Sequence, residues 1–169
     1  MKKERNILRE YFDILEENRI PKFKQSKYIK VDFNKNEKTD SLWKKHDEYL
    51  DKIKISEIIP KQSLLDLKIE IAKRIFTNCI FCENRCKVDR NLEKGFCSVK
   101  KASISSEFLH MGEEYVLIPS HTIFFSGCTL KCVFCQNWDI SQKVNGIYIK
   151  TKKMVDIIKR RKKQGSKNV

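Results

Sequence analysis

Hydrophobic positions in the first half of the chain recur at helical spacing. Over residues 4–18, Ile7, Leu8, Tyr11, Phe12, Ile14 and Leu15 share one side of an amphipathic helix. Residues 21–40 are rich in Lys and Asn and lose the period, so they read as a loop or weak strand. A second helix is expected from Ser41 to Ile59, stopped by Pro60. A third begins near Ser63, whose hydroxyl can cap it, with Asp66 in its first turn. Leu64, Leu65, Leu67, Ile71, Ala72, Ile75 and Phe76 form its apolar side, and it delivers the chain into Cys79. Later the pattern shortens. Ile123, Phe124 and Phe125 make a continuous apolar run, the signature of a strand buried on both faces as in parallel sheets. Thr151 opens a last helix with Met154, Val155, Ile157 and Ile158 on its apolar side, and Gly165 fits the position that ends it.

Composition narrows the classes. A chain of 169 residues has room for one domain with an ordinary core. No run of about 18 apolar residues occurs, so no membrane-spanning helix is expected. Met1 to Arg9 is charged and does not read as a secretory signal. The net charge is +14 and uneven: residues 1–60 carry 15 basic and 12 acidic side chains, residues 61–169 carry 21 and 10. A basic chain raises the question of nucleic acid. Here the densest cluster, Lys159 to Lys163, ends a predicted helix, where cations complement the helix dipole. A solvated helix end is the better reading of it, and no aromatic–basic interleaving suggests an RNA-binding motif.

The chemistry lies in seven cysteines, an odd number that argues against a disulfide framework. Thiols at this density without a signal peptide point to a reducing cytoplasm and metal binding. Cys128, Cys132 and Cys135 stand as Cys-x3-Cys-x2-Cys in FFSGCTLKCVFCQNW. Three thiolates this close can hold three corners of a cubane iron–sulfur cluster and leave the fourth iron open. A structural zinc site on the same thiols is the alternative, though zinc usually takes paired Cys-x2-Cys ligands and a fourth donor. Gly127 allows a tight turn where the strand ends. A second constellation, Cys79, Cys82, Cys86 and Cys97, is spaced Cys-x2-Cys-x3-Cys-x10-Cys. Four thiols complete a metal set, and spacing alone leaves two fillings open: tetrahedral zinc or a second iron–sulfur cluster.

The stretch FFSGCTLKCVFCQNW resembles the cluster loop of radical S-adenosylmethionine (SAM) enzymes, down to Phe134 before the last cysteine. CIFCENRCKVDRNLEKGFC resembles the amino-terminal cysteine box of a branch related to pyruvate formate-lyase-activating enzymes. His110, Gly112, Glu113 and Glu114 stand where that branch has its His-x-Gly-Glu-Glu stretch, and Tyr115 replaces its usual proline. Gln136, Asn137 and Trp138 match the branch's segment after the last cysteine. The match covers about residues 79–169.

The resemblance implies a 4Fe-4S cluster on Cys128, Cys132 and Cys135, with SAM bound to the open iron through its amino and carboxylate groups and Phe134 near the adenine. One electron, from a donor such as ferredoxin or flavodoxin, would cleave SAM to methionine and a 5′-deoxyadenosyl radical. A glycyl radical enzyme is the family-level suggestion for the protein substrate. The implied fold is α/β: a helical region at 1–76, a four-cysteine metal box at 77–100, and at 101–169 the first strand, loop and helix of a partial TIM-type barrel. Such a barrel needs more strand–helix units, so the chain is expected to be a fragment or to pair with a chain completing the barrel. The competing expectation is a non-catalytic zinc module that docks on nucleic acid or a protein partner. His110 beside Glu113 reads as a surface histidine bonded to a neighbour rather than as a proton relay.

Overall fold

The computed structural model describes residues 8–51 and 58–169. The chain divides into two compact units, Met1–Arg74 and Ile75–Val169.

The first unit is helical. Helices α1 (Arg9–Leu15), α2 (Lys22–Tyr28), α3 (Thr39–Asp51) and α4 (Leu64–Thr77) follow in order, with the unit boundary in the last turn of α4. Helix α1 ends at Leu15, the last residue of its apolar pattern, and Glu17 just after it adopts a left-handed φ of 62°. Ile7 of that pattern, and residues 52–57 of the expected second helix, lie outside the described residues. Helix α2 corrects the loop reading of 21–40. It begins after Pro21, whose fixed φ of −65° suits a helix start, but its polar sequence shows no apolar period. Helix α4 is capped as predicted. The Ser63 backbone N–H and hydroxyl both donate to Asp66 Oδ2 (2.8 and 2.6 Å), and the Asp66 N–H donates back to Ser63 Oγ (3.3 Å). Ile29, Val31, Leu42, Leu64, Leu67 and Ile71 are buried here, each stabilising by about 1.5–3 kcal/mol. An antiparallel bridge between Lys30 and Ser63 ties the segment after α2 to the start of α4.

The second unit holds all seven cysteines and the sheet. Strands β1 (Ser103–His110) and β2 (Ser120–Phe125) are antiparallel, pairing from Ile104 with Phe125 to His110 with Ser120 across one irregularity between Ile104 and Ser106. Strand β3 (Ile147–Tyr148) pairs antiparallel with the other edge of β1, giving the order β2-β1-β3. Short helix α5 (Trp138–Gln142) packs against β2, and α6 (Thr151–Lys163) follows β3.

This small α/β arrangement overturns the expected partial barrel. A barrel start would leave β2 as a first strand awaiting parallel neighbours, whereas β2 pairs antiparallel with β1 along its length. Parallel pairing is confined, among the described residues, to one bridge, Ser120 to Asn168, where the chain returns after α6. The apolar run is not buried on both faces either: Phe125 is 48 % exposed, and Phe108 and Phe124 stack on one face of the sheet at 6.0 Å. Helix α6 ends as expected. Gly165 has φ +95°, its N–H donates to Lys162 O, and Ser166 N–H reaches Arg161 O, which satisfies the last carbonyls.

Among the described residues of this unit, Cys79 is the one fully buried hydrophobic side chain. The other fully buried groups, His121, Ser126 and Ser141, are polar. Among the described residues no helix is long and apolar enough to cross a membrane.

Candidate metal centre

The four-cysteine box begins where α4 ends. Its backbone folds back on itself: Cys79 N–H donates to Val88 O, and Lys87 N–H donates to Cys79 O. Arg85 N–H closes a turn onto Cys82 O, and Ser98 N–H another onto Gly95 O. Three residues flanking box cysteines, Arg85, Lys87 and Ser98, hold left-handed φ values of 38°, 57° and 58°. Non-glycine residues persist there only when the surroundings over-determine them, and such strain gathers at sites with a task.

Arg90 organises the thiols. Its Nη1 lies 3.6 Å from Cys79 Sγ and 3.8 Å from Cys97 Sγ, while Nη2 donates to Val99 O at 2.6 Å. Its guanidinium also lies over the Phe76 ring at 5.6 Å. Burial pushes the Arg90 pKa down, but the sulfurs of Cys79 and Cys97 outweigh it and hold the group above its usual value. The Cys86 thiol is pulled below the usual range, chiefly by the Phe96 backbone N–H and further by the Val88 N–H and the Cys79 thiol, against the opposing effect of burial. Gly95 packs so closely that a Cβ there would stand 2.7 Å from Cys86 Sγ.

The three-cysteine loop follows β2 through a turn that needs Gly127. That residue has φ +91°, and a Cβ on it would meet Val99 Cγ2 at 2.1 Å and the Cys97 carbonyl at 3.2 Å. Gly127 N–H donates to Ile140 O, tying the loop's entry to α5. Cys128, Cys132 and Cys135 are free thiols, each half-buried. Leu130 N–H donates to Cys128 Sγ (3.3 Å), Cys135 N–H donates to Cys132 O (3.2 Å), and Cys135 Sγ lies 3.5 Å from Ser141 Oγ. N–H···S bonds of this kind tune cluster thiolates. The loop's crest stands open: Val133 is 95 % and Phe134 83 % exposed.

Two contacts join box and loop. Asn84 Nδ2 donates to Thr129 O (2.8 Å) and lies 3.7 Å from Cys82 Sγ, and the Lys131 ammonium sits 4.5 Å from the Phe96 ring centroid. The donor sets therefore fit soft, thiolate-binding metals. Among the described residues, however, no three His, Cys, Asp or Glu side chains already converge as a finished metal site. Thiolates repel one another, and the bound metal supplies the attraction that draws such ligands together.

No family model matches the chain. No solved structure matches it. It is 49 % identical over 161 residues to MJ0674, an uncharacterized protein of Methanocaldococcus jannaschii, across 88 % of this chain and 47 % of that protein. The chain thus spans about half the length of the curated relative it matches.

The remaining ionisable groups fall into two places. His110 Nδ1 lies 3.2 Å from Glu113 Oε1 but outside hydrogen-bond geometry, which leaves that nitrogen buried and unpartnered. The pair is a loose contact. The cluster that sequence reasoning missed is His121, Glu107 and Arg161. His121 is 2 % exposed and its Nε2 lies 3.1 Å from Glu107 Oε2. Arg161 Nε donates to that same oxygen and Arg160 Nη2 to Glu107 Oε1, both at 2.6 Å. The basic helix end is therefore partly neutralised by a strand carboxylate rather than simply solvated.

Proposed function

We propose that this chain is part of a radical SAM iron–sulfur protein of the pyruvate formate-lyase-activating type, with Cys128, Cys132 and Cys135 as the ligands of a 4Fe-4S cluster. The carrying observation is the Cys-x3-Cys-x2-Cys loop, set directly after a strand and a glycine turn and held beside a second cysteine cluster. Three half-buried thiols on one exposed loop suit a cluster that keeps one iron free for a small ligand. When bound, the reduced cluster would supply the electron that cleaves SAM to methionine and a 5′-deoxyadenosyl radical. The chain's own residues would hold and tune it. Leu130 N–H bonds the Cys128 sulfur, Ser141 lies beside Cys135, and Phe134 presents an aromatic face for adenine.

A ferredoxin- or flavodoxin-type donor, a glycyl radical protein as substrate and a cytoplasmic setting belong to this reading. So does a contribution from chain beyond these residues to the walls around SAM, because the loop's crest is open. The antiparallel sheet means that the reading rests on the loop and not on a barrel. The test is spectroscopic. Protein reconstituted anaerobically and reduced with dithionite should give a cluster electron-spin signal that changes when SAM is added. A signal insensitive to SAM would contradict the proposal.

A further inference from the structure

The first unit, Met1–Arg74, carries a cavity that the cysteine chemistry leaves unused. Its volume is about 560 Å³, within the usual range for small-molecule sites. The segments around it are fixed to one another. Gln62 Nε2 donates to Phe33 O (3.0 Å), and its Oε1 accepts from the Phe33 N–H (3.1 Å). Val31 N–H donates to Gln62 O, and the Lys30–Ser63 bridge continues this pairing to the start of α4. Arg74 in turn donates to the carbonyls of Lys35 and Glu37 and holds that loop on α4. Asp66, Ile69, Glu70 and Lys73 line the cavity from α4 itself, at a spacing that puts them on one face of the helix.

We propose that this cavity binds a nucleotide, with the phosphates against Lys35, Lys61 and Lys73 and the base or ribose against Ile69 and Phe33. Charge carries the anionic half of the assignment. The lining holds four lysines and three carboxylates, and each carboxylate is already engaged. Asp66 accepts from the Ser63 N–H and hydroxyl, Glu70 pairs with Arg74 at 3.2 Å, and Asp32 faces Lys30 at 3.9 Å. Lys35, Lys61 and Lys73 form no ion pair among the described residues. Three ammonium groups from three separate stretches of chain thus line space to which the fold brings no free counter-charge. Lysine binds phosphate as a compact point charge, and a cavity of one excess sign concentrates the opposite ion.

The apolar part separates a nucleotide from a bare anion. Ile69 is 45 % exposed among these lysines, and Phe33 is half-buried in the same lining. Inorganic phosphate would leave both in water, whereas a base or ribose would cover them. A nucleic-acid strand fits less well. Asp32, Asp66 and Glu70 interrupt the lysines, and a continuous phosphate backbone crossing the cavity would meet them.

Titration calorimetry of the full chain with ATP, inorganic triphosphate, adenosine and an RNA oligomer tests the site. ATP should saturate at about one per chain, with triphosphate weaker and adenosine alone giving no saturable heat. Lys35→Gln combined with Lys73→Gln should weaken ATP about tenfold or more. Both residues are exposed, so the variant should keep the wild-type circular dichroism and melting curve. Ile69→Ser should weaken ATP and spare triphosphate. Absence of saturable ATP binding would overturn the inference, as would ATP affinity unchanged in the double lysine variant. Triphosphate or RNA binding as tightly as ATP would also overturn it and mark a general polyanion surface. Iron plays no part in this measurement, so failure of the radical SAM reading would leave its outcome intact.

Discussion

The four-cysteine box and the three-cysteine loop occupy one unit and offer metals the same atom, but they are built to opposite plans. In the box one thiol is fully buried and three are half-buried, an arginine spans two sulfurs, and the backbone holds conformations that most residues avoid. In the loop all three thiols are half-buried, and the crest presents Val133 and Phe134 to solvent. A closed site resists exchange and stabilises a fold, and an open one leaves room for a reactant. On the proposed reading, the box is the frame and the loop the working part. Asn84, Lys131 and Gly127 are where the two meet.

The strongest way to break this division is to separate the parts at Gly127. Gly127→Ala meets both a left-handed φ and a clash with Val99 and the Cys97 carbonyl. It should destabilise the second unit by about 3 kcal/mol or more, measured by denaturant unfolding. Gly165→Ala has the same kind of φ but open space around it. It serves as the control for strain alone, at about 1 kcal/mol.

Next comes the support behind the loop's strand. Glu107 is held below its ordinary value of 4.5 chiefly by the Arg161 hydrogen bond, with burial opposing and both arginine charges and His121 adding to the lowering. A depressed carboxyl contributes stability that is fully present above 4.5 and is lost as the pH falls through its lowered folded value. Unfolding of the second unit should therefore show a loss of stability below about pH 4.5 that Glu107→Gln removes. At neutral pH the same variant should cost about 1–3 kcal/mol by leaving Arg161 and His121 poorly partnered.

Helix α4 is fully legible in the chain, because Ser63, Asp66 and the Leu64–Leu67–Ile71 period are local and agree with each other. The turn at Gly127 and the stop at Gly165 are legible for the same reason. Helix α2 is not, since its Lys- and Gln-rich turns carry no apolar stripe. The sheet escapes a local reading because pairing is set by distant residues. Ile123–Phe125 announce a strand, but nothing in that run tells whether Ser103–His110 or a later segment will pair with it. The Glu107–His121–Arg161 cluster is hidden likewise, with His121 and Arg161 standing 14 and 54 residues from Glu107 along the chain. For the candidate site, candidate ligands are proposed from spacing, whereas the contacts of Arg90 and Asn84 emerge only from the fold.

A smaller effect probes the link between frame and loop. Asn84→Ala removes the bond to Thr129 O and should cost about 1 kcal/mol. Amide exchange should accelerate around Thr129–Lys131 while the box amides keep their protection. The smallest stability effect is expected at the crest. Phe134→Ala, at an exposed position, should change unfolding by less than about 0.5 kcal/mol and still weaken SAM binding to the reconstituted protein.

The most direct test of the central claim is a count of iron and sulfide after anaerobic reconstitution, in wild type and in Cys132→Ala. The account predicts that the variant loses about four irons and four sulfides per chain relative to the wild type. Equal iron in the two proteins would contradict the assignment of the loop.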